Sequence, residues 1–283
     1  STPSNSSAAS DVYKRQTQVV NLSLQDYSTN SFSGVGNFIG LENFKKLLTG
    51  DKVFSKAFGV SLKWVVAEII SQVILGMGIA LLLNQKVKCR GLFRSIAFMP
   101  WAVSGVLATM LWTIMYNQHV GVINDILEKV GILKDGVAWL SNPHTAFWAV
   151  VVSELWRGIP FFAITILAGL QSISQDIYES CDIDGCSSVQ RFRYITLPFL
   201  KETLTFSVLL RCIWEFNSID LIFTMTNGGP LRLTTTMPVY LMQQAVVGGK
   251  YGYGSAMAVL MAAGLLLFAV IYLKITKYGV EEK

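Results

Sequence analysis

Long apolar runs alternate with short polar breaks along most of this chain. Five of the runs reach or approach the roughly 20 mostly apolar residues that a helix needs to cross a bilayer core: 60–83, 96–116, 146–170, 204–225 and 253–273. Each is bounded by polar or turn-forming residues. The run 146–170 contains Glu154 and Arg157, three apart on one helical face, where they can form a structural ion pair. It also contains Pro160, which is expected to kink it. The run 204–225 carries Arg211, Glu215, Asn217 and Asp220. One face of that helix should therefore point into a helix bundle or a wet cavity rather than at lipid. The pattern predicts an all-α, polytopic transmembrane helix bundle with five visible spans.

Between the third and fourth runs lies a polar, acidic connection of about thirty residues, long for a loop between packed helices. It has helix signals of its own. Ser174 is a candidate N-cap, Asp176 and Glu179 lie in the first turns where the helix dipole favours anions, and Gly185 is a plausible stop. This predicts a short helix and turn over about 174–188. Val189, Phe192, Tyr194, Ile195 and Leu197 then supply apolar anchors, and Pro198 can open the next helix. Upstream of the first run, the segment 17–58 has an apolar stripe of Leu41, Phe44, Leu47 and Leu48 beside Lys45 and Lys46, read as a short amphipathic helix at the membrane surface. Residues 1–16 are polar and of low complexity and read as a non-native or disordered leader. Residues 279–283 form a polar tail.

Composition fixes the solvent. Of 283 residues 52% are hydrophobic and 14% charged, against about 25% charged in soluble domains. In a chain this apolar, the net charge of +5 orients helices and meets anionic lipid, and nucleic acid is not an expected partner. Lys86, Lys88, Arg90 and Arg94, then Arg191, Arg193 and Lys201, then Lys274, Lys277 and Lys283 fall on one side of the membrane. They place the long connection and the C-terminus in the cytoplasm. Lys129, Lys134, Arg232 and Lys250 lie opposite, with Lys45, Lys46, Lys52 and Lys56 as a local exception upstream.

Candidate chemistry is sparse. His119 and His144 have no companion ligands, and no metal site is expected. Cys181 and Cys186 are spaced so that a metal or a disulfide would be feasible, but they read as small buried or half-buried side chains, as do Cys89 and Cys212. Trp101, Trp112, Tyr116, Trp139 and Trp148 read either as membrane-interface belts or as stacking platforms for a ligand. Glu215, Asn217 and Asp220 either line a substrate route or bond neighbouring helices. A phosphate-binding loop is absent, since Gly248-Gly-Lys-Tyr251 lacks the hydroxyl residue that binds magnesium. Hydrolytic motifs are absent as well.

Within the polar connection, Glu179-Ser-Cys, Asp184-Gly185, Phe192, Ile195 and Leu197-Pro198 resemble the pattern Glu-Ala-Ala, Asp-Gly-Ala, Phe and Ile-x-Leu-Pro. That pattern marks the permease subunits of binding-protein-dependent ABC importers. Gly40-Leu-Glu-Asn-Phe44, Phe98-Met-Pro-Trp101, Trp156-Arg-Gly-Ile-Pro-Phe161, Leu167-Ala-Gly-Leu-Gln-Ser-Ile173 and Asn227-Gly-Gly-Pro230 are similar to the carbohydrate-uptake branch, of maltose/glycerol-3-phosphate type. The resemblance covers residues 38–278 and implies a type I importer permease fold over 59–278, in the bacterial inner membrane.

It further implies that Glu179, Ser180, Cys181, Asp184, Gly185 and Phe192 belong to a coupling helix that docks on a cytoplasmic ATPase subunit, and that Glu215, Asn217, Asp220 and Trp112 are candidates for the substrate pathway. The implied partners are ATPase subunits, a second permease, an extracytoplasmic solute-binding protein and a sugar. ATP and magnesium would sit on the ATPase, with no cofactor on this chain. The family has six spans, which makes the first of them the one missing here. Alanines of the pattern are replaced by Ser180, Cys181 and Cys186, all small. A reading from another class is an ion- or proton-coupled transporter using Glu154, Arg157 and Asp220 directly.

Overall fold

A computed structural model describes residues 5–29, 36–85 and 88–277. Residues 1–4, Lys86 and the tail 279–283 lie outside the described residues. The elements are α1 (Asn5–Ser23), β1 (Gln25–Asp26), β2 (Asn37–Phe38), α2 (Glu42–Lys45), α3 (Lys52–Asn84), α4 (Arg90–Ala102), α5 (Gly105–Met115), α6 (Val122–Lys129), α7 (Ala146–Gln171), α8 (Gln175–Ile183), α9 (Ser188–Arg191), α10 (Leu197–Phe216), α11 (Asp220–Thr226), α12 (Met237–Met242) and α13 (Tyr251–Thr276). They group into two units, Ser1–Leu62 with Thr235–Ile271, and Lys63–Thr234 with Tyr272–Lys283.

In the first unit, β1 and β2 form a short antiparallel pair with Gln25 opposite Phe38. Buried Asn43 donates to the Ser23 and Gln25 carbonyls, each at 3.0 Å. The expected amphipathic helix is only α2 followed by a wider turn over Lys46–Gly50. Leu47 is buried there, whereas Leu41 and Leu48 are exposed, so the stripe does not lie on one face. Asp51 starts α3 by accepting from the Val53 and Phe54 amides at 2.8 and 3.0 Å. Its other oxygen accepts the Tyr240 and Tyr253 hydroxyls, both at 2.6 Å. Partial burial works against the charge of Asp51, but these hydroxyls and amides outweigh it and hold the carboxyl below its usual range. The helix thus begins eight residues before the apolar run did.

The second unit is centred on α7, with most of its apolar stretch buried. Ile69 and Ala80 from α3, Phe162, Ile166 and Leu170 from α7, and Leu200 and Cys212 from α10 form one cluster. Small residues let these helices meet. A β-carbon on Gly76 would lie 2.6 Å from that of Phe162, and one on Gly169 would lie 2.6 Å from Leu200 Cδ2. α7 runs unbroken through Pro160. By contrast α3 and α13 keep most of their apolar surface outward, including Ile70, Ile74, Leu266 and Leu267, as a lipid-facing surface would.

Two of the five expected spans are not single helices. The run 96–116 breaks into α4 and α5, bent by 94°. Pro100 removes a donor in the last turn of α4, and Ser104 then caps α5, accepting from the Leu107 amide at 3.4 Å. The run 204–225 breaks between α10 and α11, where the Asn217 side chain bonds back to the Ile213 carbonyl at 2.8 Å and the chain leaves the helix. Among the described residues three helices, α3, α7 and α13, are long and apolar enough to cross a membrane, and a fourth crossing results if the bent α4–α5 pair counts as one. α10 falls short of that apolarity because Lys201, Glu202, Arg211 and Glu215 lie within it.

Candidate functional site

The polar connection folds into a compact turn held to the second unit. Ser174, in extended backbone, caps α8 by accepting from the Asp176 amide at 3.3 Å. Gln175 Nε2 donates to Glu179 at 2.9 Å one turn on. The helix ends with Gly185 at φ +75°. There the Gly185 amide bonds the Asp182 carbonyl at 3.2 Å and the Cys186 amide bonds the Cys181 carbonyl at 2.9 Å. This paired closure is the Schellman motif, which needs a left-handed residue at the position Gly185 holds. Ser187 and Gln190 form a capping box that opens α9. A wider turn over Phe192–Thr196 leads into α10, with Pro198 in its first turn.

The inner face of this segment packs on the helix core. Ile177, Tyr178 and Ile195 touch the α3, α7 and α10 cluster. Tyr178 and Thr196 share a hydroxyl hydrogen bond at 3.3 Å. Arg191 pairs with Asp182 and lies over the Tyr178 ring at 5.8 Å. The outer face leaves Glu179, Ser180, Asp182 and Asp184 exposed, with Ile183 87% exposed at the tip. Val189, Tyr194 and Leu197, expected as anchors, are exposed as well. The wider 192–196 turn shifts the helical phase, so that Phe192 and Ile195 face inward instead.

A second polar assembly is buried between α3, α7 and α10. Arg157 makes a bidentate contact with Glu154, at 2.9 and 3.1 Å to Oε2. Arg211 reaches Glu154 Oε1 at 3.1 Å and Glu215 Oε1 at 2.7 Å, and its Nε donates to Gln72 Oε1 at 2.9 Å. Gln72 Nε2 donates to Glu68 at 2.9 Å and to Glu215 at 3.0 Å, and the Trp64 indole donates to Glu215 at 3.2 Å. Glu68, Gln72, Glu154 and Glu215 are buried almost completely. Glu154 and Glu215 are paired and hydrogen-bonded, as buried charges must be, whereas Glu68 Oε1 has no hydrogen-bond partner among the described residues. Gly158 makes room for the assembly, since a β-carbon there would lie 2.4 Å from Gln72 Nε2 and 2.5 Å from Arg211 Nη2.

The candidate pathway residues separate in space. Glu215 is inside this network, facing protein. Asn217 is exposed and bonded to its own helix. Asp220 is exposed at the start of α11, and Arg157 Nη1 and Asp220 Oδ2 flank Gly105, at 3.2 and 3.9 Å from where its β-carbon would stand. Trp112 packs with Tyr116 at 5.4 Å and Trp156 at 6.2 Å. With Tyr116, Trp139 and Trp148 it lines a cavity of about 420 Å³. Reasoning from the sequence missed Trp64, Glu68 and Gln72. The signal was present in Glu68 and Gln72, one helical turn apart inside an otherwise apolar span.

Residues 72–277 match the family described as the inner membrane component of binding-protein-dependent transport systems. The chain is 37% identical over 241 residues to the trehalose/maltose transport system permease protein MalF of Thermococcus litoralis, covering 85% of this chain and 80% of that protein. It is 32% identical over 252 residues to the sulfoquinovosyl glycerol permease SmoG of Agrobacterium fabrum, covering 89% and 81%. It is also 32% identical over 252 residues to the diacetylchitobiose uptake permease DasB of Streptomyces coelicolor, covering 88% and 76%. Among solved structures, a chain of a bacterial alginate ABC transporter, determined in complex with an alginate pentasaccharide-bound periplasmic protein, superimposes with a TM-score of 0.77. The match is at 24% identity and covers 86% of this chain and 85% of that one.

Proposed function

Because this chain belongs to the family of inner-membrane components of binding-protein-dependent transport systems, we propose that it is the permease subunit that passes a sugar or sugar-like solute inward while a partner ATPase supplies the energy. The names of its relatives support the substrate class, since trehalose, maltose, sulfoquinovosyl glycerol and diacetylchitobiose are all carbohydrates or carbohydrate derivatives. A second permease completes the pathway, and a binding protein delivers the solute at the outer face. The α8 turn and the C-terminus face the cytoplasm.

The observation that carries this reading is the two-faced α8 turn. Its outer face presents acidic side chains and the unpartnered tip residue Ile183, a surface of the kind that a protein cleft buries. Its inner face is tied through Ile177, Tyr178 and Arg191 to the helix core. Movement of a bound ATPase would therefore reach the transmembrane helices through packed contacts. Alternating access follows when ATP-driven closure favours one of two arrangements of the bundle.

The test uses the assembled importer in liposomes with its binding protein. Glu179→Lys and Gly185→Val should leave insertion and assembly intact and abolish ATP-driven uptake; normal uptake in both would overturn the coupling role. Uphill uptake driven by an ion gradient without ATP would overturn the ABC mechanism in favour of secondary transport. Binding of a panel of mono- and oligosaccharides and glycerol phosphate to the delivering protein then identifies the solute.

A further inference from the structure

We propose that Cys181 and Cys186 form a modification site, a dithiol that takes a low-molecular-weight disulfide such as oxidised glutathione and closes to an internal disulfide across the end of α8. The inference rests on the reading of α8 as the element that meets the ATPase. It begins from the backbone. The Schellman closure bonds the Cys186 amide directly to the Cys181 carbonyl at 2.9 Å. In this motif the side chains of those two positions come into contact, and here both are thiols. Both cysteines are free, and the Cys186 thiol lies near enough to perturb that of Cys181. A disulfide requires Cα atoms about 4.4–6.8 Å apart, and the direct backbone bond at 2.9 Å keeps these two residues close. An apolar pair would serve the closure equally well, so the thiols add reactivity that the fold does not need.

Access differs between the two. Cys181 is buried, while Cys186 is half-buried on the far side of Gly185. The neighbouring Cys186 thiol pushes that of Cys181 above its ordinary range, and Cys186 is the more accessible of the two, which makes it the first nucleophile. Its thiolate attacks one sulfur of the small disulfide and expels a thiolate, giving a mixed disulfide. Cys181 loses its proton and attacks the Cys186 sulfur, expelling the second small thiolate. Two protein thiols are oxidised, one small disulfide is reduced to two thiols, and the two thiol protons leave with them. Closure draws the sulfurs from contact to bonding distance, about 2.05 Å. That pulls the Asp184–Gly185 turn towards α8 and alters the surface offered to the ATPase.

The experiment uses the assembled importer in liposomes, in a Cys89→Ser background so that the exposed thiol does not react. After equilibration with oxidised glutathione, peptide mass mapping should show Cys181 linked to Cys186. ATP-driven uptake should fall by about five-fold or more, the lower range of coupling between linked sites, and dithiothreitol should restore it. Cys186→Ala should take up solute normally before treatment and show no fall after it. Failure to form the internal link, a link without loss of uptake, or an equal loss in Cys186→Ala would each overturn the proposal. The linked peptide is detected by mass alone, so its formation is judged separately from the coupling role that Glu179→Lys and Gly185→Val test.

Discussion

Arg211→Met tests whether the buried polar assembly holds α3, α7 and α10 together. The methionine keeps much of the arginine's apolar stem but removes the guanidinium, and with it the contacts to Glu215 at 2.7 Å, Glu154 at 3.1 Å and Gln72 at 2.9 Å. Removing one partner from a buried ion pair costs about 3–5 kcal/mol. The lower end applies here, because Glu154 keeps Arg157 and Glu215 keeps Trp64 and Gln72. At about 2–4 °C per kcal/mol for a domain of this order, the melting temperature should drop by about 6–12 °C. Glu215→Gln should lose about 1.5–3 kcal/mol, the worth of a charged hydrogen bond. The double variant should fall short of the sum by at least about 1 kcal/mol, since contacting residues couple. Thermal unfolding in detergent, followed by the fluorescence of the seven tryptophans, reads all three. A drop of less than about 2 °C for Arg211→Met, or losses that add within about 0.5 kcal/mol, would refute the reasoning.

Other substitutions probe other links. Gly76→Ala puts a β-carbon 2.6 Å from that of Phe162 and 3.1 Å from the Ala163 nitrogen, so α3 and α7 must separate at a cost of about 1–3 kcal/mol; Gly78→Ala, which meets nothing within 4 Å, should be neutral or slightly stabilising. At Gly185 a β-carbon has open space and only the φ of +75° opposes it, so Gly185→Asn should retain much of the uptake that Gly185→Val loses, and equal loss in both would assign the effect to the side chain. Asp51→Asn should lower stability at neutral pH. Since the folded carboxyl is held below its ordinary value, its contribution is complete above the unfolded value of about 3.9 and disappears as pH falls through the lower folded value. The melting-temperature gap between Asp51→Asn and the parent should stay constant down to about pH 5 and close at lower pH; a gap that widens on acidification would reverse the sign of the argument.

The parts of this fold legible in the sequence are those that local chemistry decides. The stop of α8 at Gly185, its start at Ser174 and the opening of α10 near Pro198 follow from capping and backbone preference, and each lies within a residue or two of its sequence signal. The broken spans were less legible, because hydropathy adds across Pro100 and across Asn217-Ser-Ile219 without registering that the backbone turns there. The buried assembly was half visible. Glu154 and Arg157 share a helix and a face, so their spacing alone pairs them. The contacts from Gln72 to Glu215 and from Arg211 to Glu154 span 143 and 57 residues of sequence, and no local pattern encodes which distant helix supplies the partner. Tyr194 was misplaced for a related reason, since it lies inside the wider turn at 192–196, where the helical phase shifts; Val189, in the short α9 before that turn, is exposed with no such explanation.

The two assemblies of the second unit bear on the same mechanical problem. A coupling element is useful only if the helices behind it move as a body, since a soft core would absorb the displacement. Apolar packing alone gives membrane helices little specific orientation, because lipid tails solvate them as well as a neighbouring helix does. The assembly from Trp64 to Glu215 supplies directional bonds across α3, α7 and α10 in the region where Gly76 and Gly158 let the helices approach. On the same three helices, Ile177, Tyr178 and Ile195 seat the α8 turn for which we propose the coupling role. Displacement of α8 therefore acts on elements already cross-linked by buried charge. On the proposed coupling role, its effect would reach Arg157, which belongs to this assembly and stands with Asp220 beside Gly105. Weakening that cross-link while sparing the turn, as Arg211→Met does, should therefore lower the solute moved per ATP hydrolysed even under conditions where the variant remains folded.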